Sequence, residues 1–375
     1  MIRILNVVYG MNRGGIETFI MNIYRKIDRN KIQFDFLLHT EEECDYNAEI
    51  KELGGKIFYV PQRNKGVLNN KRALNDFFKT HKEYNIVHQH VSSLTYIEPI
   101  IAAKRNGVPV RIIHGHNTKQ TGSSVHKYLH YINKKRISQY ATDYFACSKL
   151  AAEWMYGGVK NLNNKYKIIN NSIDSKKFIF SQQIRDEMRK ELGLENRFVV
   201  GHIGRFHKQK NHTFLIDIFS EIKKLDESAI LLLVGDGKEK EKIIKYIEDK
   251  GLKQYVIFLG VRSDINKILQ AMDSFVFPSL YEGLGIALIE AQAAGLKTYT
   301  SKDVVPNEVK ITNLLNFISL EVDEKDWAKL ILDNKEYKRN NMQEFIIKNN
   351  YDINESAKNI QSYYLNKENI KIDRK

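Results

Sequence analysis

Short apolar runs alternate along the whole chain with longer stretches whose apolar residues return every third or fourth position. In the first half the short runs are "IRILNVVYG", "FDFLLHT", "KIFYV", "NIVHQH", "VRIIHGH", "YFACS" and "YKIINN", rich in β-branched and aromatic residues. "IETFIMNIYRKI" and "KRALNDFFKTHKEY" between them carry the helical period. The rhythm restarts with "FVVGHIGRF", "AILLLVGDG", "VIFLG", "SFVFPS" and "LKTYTS", with "HTFLIDIFSEIKKL" and "KEKIIKYIEDKGL" as intervening helices. Near-continuous apolar strands separated by amphipathic helices predict parallel sheets covered on both faces. The pattern therefore predicts an α/β protein of two doubly wound units, 1–172 and 173–355, joined by a polar connector around 172–196. "ESAKNIQSYYLN" predicts a final helix at about 356–375 with one apolar face.

Length agrees with two units, since 375 residues exceed one ordinary core. The longest wholly apolar run is Ala229–Val234, far short of the roughly 18 residues of a membrane span. "MIRILNVVYG" carries Arg3 and Asn6 and has no small-residue cleavage site, so it reads as a first strand and not a signal peptide. The two cysteines, Cys44 and Cys147, have no metal-type spacing and read as reduced packing residues, as expected in the cytoplasm.

Charge changes the picture. The net charge is +14, but residues 1–172 hold 26 Lys+Arg against 14 Asp+Glu while the remainder holds 33 against 31. A lysine-rich genome would have charged both halves. The excess in one half calls for an anionic partner: nucleic acid, an acidic lipid surface or a phosphorylated ligand.

In open parallel sheets, ligands bind beyond the carboxyl ends of the strands, so the residues there are the candidates for chemistry. After the first strand, "GMNRGGIETFI" puts Gly14 and Gly15 at a helix start, where free N–H groups favour a phosphate; a GG pair also suits a plain tight turn. His88 and His90, then His114 and His116, follow two strands at a spacing that puts each pair on one face. No acidic or cysteine ligand accompanies them, so they suit hydrogen bonding to a sugar better than a metal. "GRFHKQKN" places Arg205 and Lys210 past a strand, a fork and a point charge that suit a diphosphate. "LLLVGDG" ends in ordinary turn residues, and "FLGVRSDI" adds Arg262 and Asp264 beyond another strand end, where a base of the donor could stack, so Arg262 counts among the donor-binding candidates. "YEGLGIALIEAQAAG" then sets Glu282 before Gly283, Leu284 and Gly285, with Glu290 inside the helix that follows. Carboxylates accept paired hydrogen bonds from vicinal diols, which ribose and hexoses both offer. Backbone N–H groups, cations and carboxylates together are what a nucleotide-sugar requires.

The GGIE turn, the histidine pairs after strands, "GRFHKQKN" and the two glutamates eight residues apart together resemble the retaining glycosyltransferases of family 4, over nearly the whole chain. "HGHNT" and "EGLGIALIEAQAAGL" look most like the bacterial capsule and exopolysaccharide branch. The resemblance implies the GT-B fold: two Rossmann-like domains facing across a cleft, the last helix returning to the N-terminal domain. It implies that Arg205 and Lys210 hold the donor diphosphate, that Glu290 accepts from ribose and that Glu282 contacts the donor sugar. Gly283, Leu284 and Gly285 would add N–H donors, and Gly15 would approach the phosphates. Either His114 or His116 would sit beside the reacting sugar, with His88 and His90 on the acceptor side. It further implies a nucleotide-sugar donor such as a UDP-sugar, a glycan or polyprenyl-diphosphate-linked acceptor, no divalent metal or other cofactor, and retention through front-face attack. The chain departs from many relatives at "NNSID", where Ser172 stands in a glycine's place at the connector.

A lipid-linked acceptor gives the basic half a purpose, at the inner face of the plasma membrane. "HKYLHYINKKR", His126–Arg136, mixes aromatics with cations as a headgroup-facing helix does, although an ordinary solvated face has the same composition. A GT-B epimerase or phosphorylase stays open as an alternative. A nucleic-acid partner is disfavoured because no zinc, helix-turn-helix or RNP pattern is present. A nicotinamide enzyme is disfavoured because the first loop is GMNRGG and not GxGxxG.

Overall fold

The two series of apolar strands form two separate parallel sheets. In the computed structural model, which describes residues 1–118, 123–159, 162 and 165–372, the chain divides into Met1–Ser172 with Ile353–Lys375, and Ile173–Asp352. The C-terminal helix runs Ile353–Ile372, and 373–375 of the expected helix lie outside the described residues.

The first sheet has seven strands: β1 (Ile2–Val8), β2 (Ile32–Leu38), β3 (Ile57–Tyr59), β4 (Ile86–Val91), β5 (Val110–Gly115), β6 (Asp143–Ala146) and β7 (Lys167–Ile168), in the order β3-β2-β1-β4-β5-β6-β7. Every residue of β2 and β4 is buried, as strands sandwiched between helices must be. Asp35 on β2 is the costly exception, and its carboxylate is satisfied by Arg3, by the Tyr84 hydroxyl at 2.7 Å and by the Lys56 amide at 2.7 Å. The helix Gly15–Lys26 buries Phe19, Ile20, Met21, Ile23 and Tyr24 on the sheet. Ile353, Ala357, Ile360 and Tyr364 of the C-terminal helix join the same core, so the tail belongs to the first unit.

The second sheet comprises β8 (Val199–Ile203), β9 (Ile230–Val234), β10 (Val256–Phe258), β11 (Ser274–Phe277), β12 (Lys297–Ser301) and β13 (Leu315–Ile318), in the order β10-β9-β8-β11-β12-β13. Its core gathers Leu215, Ile216 and Phe219 with Leu231, Leu233, Val276 and Trp327. β13 escapes the sequence reading because it is four residues long and includes Asn316. The expected polar connector is not a linker. It contains the helix Gln182–Glu191, whose Arg185 and Arg189 reach Asp273 at 2.5 and 3.1 Å ahead of β11; its polarity serves this ion-pair cluster.

Each sheet reverses its strand order once, at β1/β4 and at β8/β11. Loops on the two sides of such a point leave the sheet in opposite directions and open a crevice at the carboxyl edge.

Candidate active site

At the β8/β11 point two of the sequence-predicted residues, Lys210 and Glu282, come together. The loop after β8 is fixed by the Gly204 amide donating to Val234 O at 2.9 Å and the Phe206 amide donating to Asp236 O at 2.9 Å. A Cβ on Gly235 would lie 2.1 Å from Gly204 O, and one on Gly237 would lie 2.4 Å from Phe206 O. The "GDG" that reads as plain turn chemistry is therefore a place of close backbone approach that shapes the Arg205 loop. Arg205 itself is exposed.

The chain then makes a short helical turn, Lys208–Lys210, and passes through Asn211 at φ 55° into the helix His212–Leu225. This turn is tied to the loop after β11: the Leu280 amide donates to Gln209 O at 2.8 Å, and Gln209 Nε2 donates to Tyr281 O at 2.9 Å. Lys210 Nζ lies 2.6 Å from Glu282 Oε1 and 4.4 Å from the centre of the Phe277 ring. Both side chains of this ion pair are largely buried, so it is shielded from salt far better than a surface pair. Leu284 is buried, and Gly285, at φ 85°, starts the helix Ile286–Ala293.

Glu290 stands in the middle of that helix. Desolvation pushes its carboxyl up to about 8. Its surface is only half-buried, but among the described residues no group donates to the carboxylate to offset the packing around it. An acid in this state has hydrogen-bonding capacity to offer a ligand. Arg262 is engaged instead: its fork meets Asp264 at 2.8 and 2.6 Å.

Sequence reasoning missed His202 and His212, at the two ends of "HIGRFHKQKNH". His202 Nδ1 bonds Val276 O at 2.9 Å, while His202 Nε2 and both nitrogens of His212 are buried without partners. Burial, reinforced by Lys210, lowers His202 to about 4 and His212 to about 2. Their even spacing around a strand end was the available signal.

At the β1/β4 point the four predicted histidines share one face of the first sheet, with His90 in register with His114. His88 Nε2 is 3.2 Å from His114 Nδ1, and His90 Nδ1 is 3.1 Å from His116 Nε2. Two further residues, which sequence reasoning missed, anchor the set: the Tyr364 hydroxyl at 2.7 Å from His88 Nδ1, and Asn6 Oδ1 at 3.2 Å from His90 Nε2. Desolvation lowers all four rings well below the ordinary histidine range, His88 and His116 to about 3. Ring nitrogens of His88, His90 and His114 lie within 4.8 Å of one another, close enough to share a metal. The His88 and His114 planes are only 10° apart, however, and their facing nitrogens point at each other as a hydrogen bond does, not toward a third point.

His114 has no exposed surface, whereas His116 lies just past β5 and is partly exposed. Gly15 is the first residue of its helix, with open space where a Cβ would stand. The helix Ser124–Arg136 exposes Val125, Tyr128 and Tyr131 beside Lys135, whose ammonium sits 4.3 Å from the Tyr131 ring. No helix among the described residues is long and apolar enough to cross a membrane.

Two Rossmann-like units, the second with a lysine–glutamate pair and a glycine-led helix at its switch point, have the architecture of the GT-B fold. Comparison with known proteins agrees. Residues 184–352 match the family model "Glycosyl transferases group 1". The chain is 36% identical over 333 residues to the putative glycosyltransferase EpsF of Bacillus subtilis, covering 88% of this chain and 86% of that one. It is 30% identical over 330 residues, 82% of this chain and 84% of the relative, to an Escherichia coli enzyme named UDP-Gal:alpha-D-GlcNAc-diphosphoundecaprenol alpha-1,3-galactosyltransferase. Among solved structures, Anabaena HepE in complex with UDP and glucose superposes with a TM-score of 0.73 at 19% identity, over 97% of this chain and 94% of that one. The chain belongs to the group 1 glycosyltransferases.

Proposed function

We propose that the protein is a retaining, metal-independent glycosyltransferase of family 4 that takes a sugar from a UDP-sugar and passes it to a glycan or polyprenyl-diphosphate-linked acceptor in capsule or exopolysaccharide assembly. The observation that carries this reading is the Lys210–Glu282 pair, held at 2.6 Å by two loops that converge on one switch point. The ammonium has three N–H donors, and Glu282 takes one of them. The others serve the diphosphate, with the Arg205 fork beside them, and stabilise charge as the nucleotide departs. Glu282, already committed to a cation, is a clamp for sugar hydroxyls and not a nucleophile. Retention then follows from front-face attack: the acceptor oxygen bonds to the anomeric carbon as the phosphate oxygen leaves the same face and takes the acceptor proton. Glu290 receives the ribose hydroxyls, and His116 addresses the sugar. The named donor and lipid-linked acceptor of the E. coli relative support the same substrate classes.

The basic excess and the exposed aromatics of Ser124–Arg136 support a peripheral position on an anionic inner leaflet. Sedimentation with vesicles containing anionic lipid then falls as salt rises; binding indifferent to salt removes this part of the reading.

The central test is thermal unfolding with UDP in the presence of a chelator, where ligand at 100 times its Kd adds about 2.7 kcal/mol. No shift with UDP sinks the donor assignment, and a shift that requires metal sinks metal independence. A panel of UDP- and GDP-sugars with lipid-linked acceptor then separates transfer from epimerisation or phosphorolysis.

A further inference from the structure

Four imidazoles on two adjacent strands exceed what one hydrogen bond to a sugar needs. The rings form two rungs. The deeper runs from the Tyr364 hydroxyl through His88 to His114, and the outer from Asn6 through His90 to His116. Each rung ends in a buried nitrogen without a partner, His114 Nε2 and His116 Nδ1.

A neutral imidazole has one N–H and one lone pair, so a ring that accepts at one nitrogen donates at the other. Burial keeps all four rings neutral, and proton positions therefore propagate along each rung. With Asn6 Oδ1 as the accepting atom, His90 Nε2 carries the proton and His90 Nδ1 accepts from His116 Nε2. His116 Nδ1 is left with a bare lone pair.

We propose that Asn6 and His90 are positioning residues that fix His116 in the Nε2-protonated tautomer, so that its Nδ1 accepts a hydrogen bond from a substrate hydroxyl. His116 is the ring suited to meet a ligand, because it follows the last residue of β5 and alone among the four is partly exposed; its Nδ1 is covered in the free protein and is reached when substrate displaces the groups over it. The deeper rung is an internal control. Among the described residues His88 Nδ1 is the one hydrogen-bond partner of the Tyr364 hydroxyl, so the hydroxyl donates and His114 Nε2 becomes a donor on a ring without exposed surface. Loss of Asn6 disturbs the ring that meets substrate; loss of the Tyr364 hydroxyl disturbs one that does not.

Only the kinetic arm of the test rests on the transferase reading. Long-range proton–nitrogen correlation spectra of the full chain, labelled in its histidines, report which nitrogen of each ring is protonated without any substrate. His116 is expected protonated at Nε2, and Asn6→Leu converts it to a tautomer mixture. A wild-type His116 protonated at Nδ1 overturns the proposal, whether or not the protein transfers sugar. In turnover, Asn6→Leu lowers kcat by about 10- to 100-fold with KM for the nucleotide-sugar unchanged. Asn6→Asp, which can only accept from His90, recovers most of that loss, and Tyr364→Phe leaves the His116 tautomer unchanged in the spectra. Asn6→Asp no better than Asn6→Leu, or a loss confined to KM, also overturns it. Slow donor hydrolysis without acceptor tells the source of the hydroxyl: a parallel loss assigns it to the donor sugar, an unchanged rate to the acceptor. A wild type without any transferase activity defeats the functional reading, and the spectra still decide the relay.

Discussion

At the switch point of the first sheet the side chains are neutral, largely buried and hydrogen-bonded in two rungs: Tyr364 with His88 and His114, and Asn6 with His90 and His116. At the switch point of the second they are charged: Lys210 against Glu282, with Arg205 exposed on the loop that leads to Lys210. Overall charge runs the other way. Met1–Ser172 with Ile353–Lys375 contains 31 Lys+Arg against 17 Asp+Glu, whereas Ile173–Asp352 contains 28 against 28. The unit with the whole net charge has the uncharged site, and the neutral unit has the ionic one. Net charge is a property of surfaces and of the partners they attract; a site's charge is fixed by a few desolvated groups, which hardly register in a composition. The same winding thus places a neutral hydrogen-bonded cluster at one switch point and an ion pair at the other.

Breaking the ionic end gives the largest effect. Lys210→Ala is expected to lower kcat by about 100- to 1,000-fold, the loss typical when a donor to developing charge is removed. Steady-state transfer checks this, and retention of more than a tenth of wild-type turnover means the second unit's charges do not carry the step. Glu290→Ala is next: losing a charged hydrogen-bond partner worth about 1.5–3 kcal/mol weakens UDP binding by about 10- to 100-fold, read by calorimetry. Because the Glu290 carboxyl sits at about 8 in the free protein, hydroxyls that donate to its ionised form expel its proton. UDP affinity therefore rises with pH toward 8, by at most about tenfold per unit, and this slope is absent in Glu290→Gln.

The neutral end responds to acid. Rings held at about 3, such as His88 and His116, bind fewer protons folded than unfolded between that value and about 6.5. Their stabilisation is complete above about 6.5 and is lost as pH falls, at about 1.4 kcal/mol per unit for each ring. The protection of amides in peptides covering β4 and β5, relative to the unfolded chain at the same pH, is expected to fall below that pH. Unchanged protection down to pH 5 means the rings are not buried neutral. The smallest effect is Arg262→Ala. Its guanidinium is occupied by Asp264 on a partly exposed loop, so UDP affinity changes by less than about threefold, as expected for a pair worth under about 1 kcal/mol.

Much of the molecule was legible along the chain. Parallel strands buried on both faces must be apolar throughout, so twelve of them stood out as runs, and β13, short and interrupted by Asn316, did not. Glycine pairs, cations after strands and the Glu282 to Glu290 spacing marked the loops in which the structure pairs Lys210 with Glu282. The helix Gln182–Glu191 was hidden because its arginines are used internally, on Asp273, and an internal ion pair leaves no apolar signature.

What the sequence determined by itself was the alternation of elements, the placement of polar residues at strand ends and hence the class of protein. Only the tertiary structure decided which of those residues meet. Lys210 and Glu282 are 72 residues apart, Asn6 and His90 are 84 apart, and His88 and Tyr364 are 276 apart. Local patterns record which face of a strand or helix is buried. Partnership in a hydrogen bond or ion pair depends on strand order and on the return of the last helix, which no short window of sequence contains.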